Sequence, residues 1–380
     1  MCKNVLLFLA PLLLSIGCTP SLKSFCIASE RNGMKAANIS NGILSANVIP
    51  EASGICTDIH IGENALMNVF SSNSSKTEFP FAGFRTELLG ASDTPRFVNF
   101  RNAQVMSDGA VVAKLFRNNW NRRNLKFEKT IIIPSNDTRI SMDVTVTNTG
   151  DKKENIALRD IITEYLGQEG NNAVFIFPVK GKVEAIRKEK VSTFTHDQII
   201  RLSLLNQPES VTQLAPSESW FAHHSQGKIL MVIRFPHNLT ASGFFRTSVT
   251  QNNFISCEGI HGYVMLSPNA STSVHTECLF FEGMNDIQGL CEDIAIHSEL
   301  SPQNDKLIVT IASTRTVNVG NLLLDGGETV KVGTVKRGHP IQLSVSKPKG
   351  YTPEKTLYGS LSEISPFILL PLHQDKASLD

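Results

Sequence analysis

Runs of alternating apolar and polar residues recur along almost the whole chain, and most stop at Gly, Pro, Asn or Asp. A period of two turns one face of an extended segment toward a core and the other toward water, so the pattern commits the chain to β-strands. GILSANVIP, ICTDIHIG, GAVVAKLF, LKFEKTIIIP, RISMDVTVTN, AVFIFPV, KILMVIRFP and HTECLFFEG each read as one strand. LKFEKTIIIPSNDTRISMDVTVTN reads as a hairpin about the turn Pro134-Ser135-Asn136-Asp137. So many antiparallel strands are best satisfied by stacked sheets or a closed barrel, and the expected class is all-β.

Helical spacing is confined to one stretch, Met284 to Leu300. Ile287, Leu290, Cys291 and Ile294 recur there at helical intervals, and Asn285 or Asp286 supplies an N-cap. The spacing predicts a helix and a boundary after it, because strands resume with KLIVTIAST, ETVKVGTV and PIQLSVSK. The expected organisation is a large β body over residues 29–298, a small β-sandwich-like domain over 301–372 and a polar tail over 373–380.

Residues 1–28 read as an export signal. Lys3 precedes an apolar run from Val5 to Leu14 that is too short to span a bilayer as a stable helix. Gly17-Cys18 resembles a bacterial lipobox, in which the cysteine is lipidated, although Ser15 stands where a leucine is usual. The expectation is a periplasmic or outer-envelope lipoprotein held to the membrane only through Cys18. Plain cleavage near Cys26 or Ala28, giving a secreted protein, is the alternative. Export would permit disulfides among Cys257, Cys278 and Cys291, with buried free thiols as the other reading. No CxxC pair occurs among the 7 cysteines, so no structural metal site is expected.

A net charge of +1, with no basic stripe interleaved with aromatics, argues against a nucleic-acid partner. There is no GxSxG elbow, phosphate loop or GxGxxG, and no cofactor is expected. The residues that could carry chemistry are scattered. Arg85 in GFRTE offers a multi-donor grip on hydroxyls or a carboxylate. Asp160 and Glu164, four apart, share one face of a regular strand. SWFAHHSQG brings Trp220, an aromatic plate for the apolar face of a sugar, next to His223 and His224. Those adjacent histidines point to opposite sides of a strand, so only one serves a given cleft. SCEGIHGYVML offers Glu258 and His261, which would need a bulge at Gly259 or Gly262 to join each other.

The order of these features resembles that of a known family. ISNGILSANVIPEASGICTDIHIGENALM, FPFAGFRTELLG, ISMDVTVTNTGDK and MLSPNASTSVHTECLFF together resemble the galactose mutarotase-like (aldose epimerase-like) proteins over roughly Ile39 to Glu282. The resemblance implies a large β-supersandwich, a sugar-contacting arginine at Arg85, a strand ended by an Asn, and a catalytic glutamate at Glu258. Family members that open a sugar ring pair that glutamate with a histidine placed shortly after the Asn turn. Here that segment is IALRDIITEYLG, which contains no histidine.

These readings lead to three expectations. The first is an exported carbohydrate-binding protein of the cell envelope, with Arg85, Asp160, Glu164 and Trp220 lining its site. The second is a carbohydrate-active enzyme, an epimerase or a polysaccharide lyase or hydrolase, using Glu258 with His223 or His261 as its acid–base pair. It requires those groups to meet across one cleft. The third is a structural envelope lipoprotein.

Overall fold

In LKFEKTIII, the residues Leu125, Phe127, Lys129, Ile131 and Ile133 are buried and those between them are half-exposed. The computed structural model makes this segment a strand, Leu125–Ile133, and pairs it as a hairpin with Arg139–Asn148. The structure describes residues 23–31, 34–66, 83–88, 99–120, 124–165, 174–187, 190–196, 199–203, 210–224, 229–235, 244–249, 254–301, 303, 306–324, 329–347, 357–361 and 364–369. Cys18, most of the expected signal segment and the polar tail lie outside them.

Two large antiparallel sheets form the body. The first sheet runs, in spatial order, through Phe25–Arg31, Met34–Ser40, Leu44–Ile49, Ile55–Ile61, Gly83–Leu88, Leu158–Tyr165, Phe254–Ile260, Phe244–Val249 and Ser210–Pro216. The second runs through Asn99–Val105, Val111–Trp120, Leu125–Ile133, Arg139–Asn148, Ser271–Glu282, Ile229–Arg234 and Trp220–His224. One long strand, Val174–Arg187, belongs to both. Its start pairs with Trp220–His224 in the second sheet and its end with Ser210–Pro216 in the first.

The inner faces meet over one apolar core. Phe84, Ile162, Cys257 and Phe245 of the first sheet pack with Phe127, Met142, Val144, Cys278 and Phe280 of the second. Each fully buried aliphatic or aromatic side chain there contributes about 1.5–3 kcal/mol relative to leaving it in water.

Asn148 ends its strand as the sequence suggested. The side chain is buried, donates to the carbonyls of Lys152 and Leu266, and accepts from the backbone N–H of Gly150. These bonds hold the turn that delivers the chain to Leu158–Tyr165.

The helix expected over Met284 to Leu300 does not form. That stretch is a hairpin of Gly289–Cys291 with Ile294–Leu300, turned by Glu292 at φ 48°. Cross-strand pairing overrides the helical spacing, because Ile294 and Ile296 alternate into a second core with Val309, Val319 and Val335. That core lies between two four-stranded sheets, so the C-terminal β-sandwich takes its strands from Gly289 onward. It packs on the outer face of the second sheet, where Trp220, Leu279 and Phe281 meet Ala295 and Ala312. Charge crosses the same joint: Arg139 reaches Asp137 (3.0 Å), Glu277 (3.2 Å) and Asp293 (2.9 Å), and Arg315 reaches Asp293.

Among the described residues the cysteines are free thiols. Cys257 is in the first sheet, Cys278 in the second and Cys291 in the C-terminal sandwich, so the disulfides offered as one alternative among them are not made. Burial pushes the Cys56 thiol up to about 12.

Candidate functional site

Strand register builds one polar row across the outer face of the first sheet. Glu258 stands opposite Ile161, and Ile161 opposite Arg85. One step along, Arg159 stands opposite Glu87. Their neighbours Phe84, Ile162 and Cys257 face the core, so strict alternation turns Arg85, Glu87, Arg159, Ile161 and Glu258 outward.

The charged members form a chain of ion pairs. Arg85 Nε donates to Glu87 Oε2 at 3.1 Å and its Nη1 to Thr163 Oγ1 at 3.1 Å. Arg159 grips Glu87 Oε1 through Nε (2.9 Å) and Nη2, and its Nη1 donates to Glu258 Oε2 at 3.1 Å. Ser256 donates to the other Glu258 oxygen. Arg85, Glu87 and Glu258 are buried, while Arg159 keeps 23% of its side chain exposed and gives the row its access to solvent. Burial would raise the Glu87 carboxyl, but the Arg85 and Arg159 guanidinia outweigh it and hold the group below its ordinary value. Burial likewise opposes the charge on Arg159, and Glu87 and Glu258 overcome it.

A second polar cluster lies on the inner face, between the sheets. Asp160 is fully buried and accepts from Thr86 of its own sheet, from Thr276 of the opposite sheet (2.7 Å) and from His261 Nε2 (2.7 Å). The His261 ring is buried, its Nδ1 meets no hydrogen-bond partner among the described residues, and Phe235 meets it edge-on. Close by, the buried amine of Lys129 donates to the carbonyls of Ser53 (2.6 Å) and Thr86 (3.2 Å). Burial lowers that amine to about 8, against the pull of Cys56, Asp160 and Glu87.

The expected site residues therefore separate. Arg85 and Glu258 share the outer face, joined through Arg159. Asp160 does not line that face; it is a cross-sheet anchor in the core. Glu164 is in the strand Leu158–Tyr165, but its side chain lies outside the described residues. Trp220 faces the C-terminal sandwich, not a sugar cleft, and its indole donates to Glu218 at 2.6 Å. His223 is buried in the body interior with its ring 4.5 Å from Phe175. His261 is also inside. The expected approach of Glu258 to His223 or His261 across a cleft is thus not made, because both imidazoles face inward and the carboxylate faces outward. The one described histidine on the outer face of the first sheet is His60, opposite Ser45 and several residues further along its strand from the Arg85 row. Among the described residues no group of three or more His, Cys, Asp or Glu side chains is gathered as a metal site requires.

Glu87, Arg159 and Arg246 are the outer-face residues that reading the sequence did not place in the site. Alternation from Arg85 would have found Glu87, whereas Arg159 and Arg246 stand on neighbouring strands and emerge only from the register that sets them opposite Glu87 and Glu258.

No family model matches the chain, and neither does any curated protein. Solved structures do. A galactose mutarotase-like protein from Clostridium acetobutylicum is similar over 68% of this chain and 99% of its own, with TM-score 0.51 and 8% identity. A TPR-domain containing protein from Parabacteroides distasonis is similar over 65% of this chain, with TM-score 0.50 and 10% identity. This chain spans 47% of that protein's length. At such identities the likeness is one of fold: the body is a mutarotase-like β-sandwich.

Proposed function

We propose that this chain is an exported carbohydrate-binding protein that holds a saccharide on the outer face of its first sheet and serves glycan handling at the cell envelope. The observation that carries this reading is the buried ion-pair chain Arg85–Glu87–Arg159–Glu258 with Ile161 between its arms. Charges locked to one another present donors and acceptors in fixed directions, which suits a hydroxyl-rich ligand, and Ile161 supplies an apolar floor for the C–H face of a ring. The mutarotase-like fold is in keeping with that ligand class.

Binding fits the geometry better than acid–base catalysis. Ring opening or glycosidic cleavage needs two groups in different protonation states, each within reach of its own oxygen. Glu258 is already engaged by Arg159 and Ser256, and His223 and His261 face the interior.

The test is calorimetry and a glycan panel on the purified protein, neutral and acidic saccharides both included. Binding to at least one class is expected, weakened about tenfold or more by Arg85→Met, which removes charge-assisted donors. Failure to bind anything on the panel refutes the reading. Attachment through Cys18 is a separate proposal, resting on the basic and apolar start of the chain. Metabolic labelling with a palmitate analogue should mark the wild type and not Cys18→Ala; an unlabelled wild type counts against it.

A further inference from the structure

Among the described residues, one guanidinium on the outer face has an enclosed Nε–H that meets no acceptor. Arg246, on Phe244–Val249, stands directly opposite Glu258 and extends the row to Arg246–Glu258–Ile161–Arg85 over four adjacent strands. Strand spacing makes that row about 14 Å long. Arg246 is half-buried, and its Nε is enclosed with no hydrogen-bond acceptor. Glu258, directly opposite, accepts from Arg159 and Ser256 and does not meet that Nε–H. The contrast with its neighbours is sharp, since Arg85 and Arg159 are both engaged with carboxylates on the same face.

A half-enclosed guanidinium with an unfilled Nε–H is costly unless something satisfies it. The Nε–H and the adjacent Nη–H form two parallel donors, the fork that matches the two oxygens of a carboxylate, phosphate or sulfate. A neutral hydroxyl accepts at only one point and leaves the charge unbalanced. We infer that the saccharide held on this face is acidic, with its anionic substituent on Arg246 and its ring toward Glu258 and Ile161. This inference rests on the carbohydrate reading above and specifies its ligand class.

The experiment is a calorimetric comparison on the full protein. Uronic acid oligosaccharides, sulfated and phosphorylated saccharides, and their uncharged counterparts are titrated into wild type, Arg246→Gln and Arg246→Lys. At least one acidic class should bind about tenfold or more tighter than its uncharged counterpart, and the tightest class identifies the substituent. Arg246→Gln should bring that ratio close to one. Arg246→Lys, which keeps the charge without the fork, should retain only part of it. Melting temperature verifies that both variants fold. Equal binding of acidic and uncharged saccharides overturns the inference and leaves the carbohydrate reading standing, as does a preference that survives Arg246→Gln. Binding of neither kind overturns both.

Discussion

Arg159 and Asp160 are neighbours in the chain and stand on opposite faces of the same strand. Arg159 Nη1 reaches Glu258 Oε2 at 3.1 Å outside, while Asp160 Oδ2 accepts from His261 Nε2 at 2.7 Å inside. One residue closes the candidate site and the next one ties the two sheets together. Substitutions at the two positions should therefore have separable effects.

At Asp160 the effect should fall on stability. The carboxylate serves Thr86, Thr276 and His261 in a buried layer between the sheets, and Asp160→Ala would remove the shared acceptor of all three. The expected cost is about 3–5 kcal/mol in urea denaturation, with Asp160→Asn costing less because an amide oxygen still accepts. A loss under about 1 kcal/mol would mean that the cluster is not a structural anchor.

At Arg159 the effect should fall on both ligand binding and stability. Arg159→Met leaves Glu87 with Arg85 alone and removes the arginine from Glu258. Because the side chain is partly open to solvent, the stability loss should be about 1–3 kcal/mol, smaller than for a fully enclosed pair. Saccharide affinity should drop about tenfold or more. Unchanged affinity by calorimetry would place the ligand elsewhere.

Lys129 predicts an alkaline gain. Its amine is lowered to about 8 in the folded chain by burial, against an ordinary 10.5. Between those values the unfolded chain binds more protons than the folded one, so this group makes stability rise with pH over that window. The rise should be on the order of 3 kcal/mol. Replacing Lys129 by Met should abolish it, read as melting curves from pH 7 to 10.5 relative to wild type. Parallel curves for the two proteins would contradict the placement of this amine.

Glu277 predicts the opposite limb. Burial would raise its carboxyl, but His275 and Arg234 hold it down to about 2, against an ordinary 4.5. A depressed carboxylate contributes stability above its unfolded value, and that contribution disappears as pH falls from about 4.5 to 2. The loss should be on the order of 3 kcal/mol and should weaken the joint where Arg139 bridges Glu277 to Asp293. Melting from pH 5 to 2 should be flatter for Glu277→Gln than for wild type.

Strand identity was legible wherever one face is core and the other is wet, as in Leu125–Ile133. Facing was not legible in IALRDIITEYLG. Ile161 and Ile162 are adjacent and both buried, one on each side, so apolarity could not reveal which parity points inward. That is why Asp160 read as a site residue and Arg159 did not. Trp220 was misread for a related reason. The C-terminal sandwich covers the outer face of the second sheet, so WFAHH is buried on both sides over most of its length. The helix expected over Met284 to Leu300 fell to long-range pairing, which no local spacing encodes. Arg246 in FFRTSV carries no local signal at all; its meaning comes from the strands beside it.

The strand Val174–Arg187 changes sheets partway along its length. The two layers are therefore spliced through a single backbone and not merely laid face to face. Under a stretching load neither layer can be peeled away while the other keeps its grip on that strand. Extension in an optical trap should accordingly release the body in one rupture, with no plateau corresponding to a lone surviving sheet.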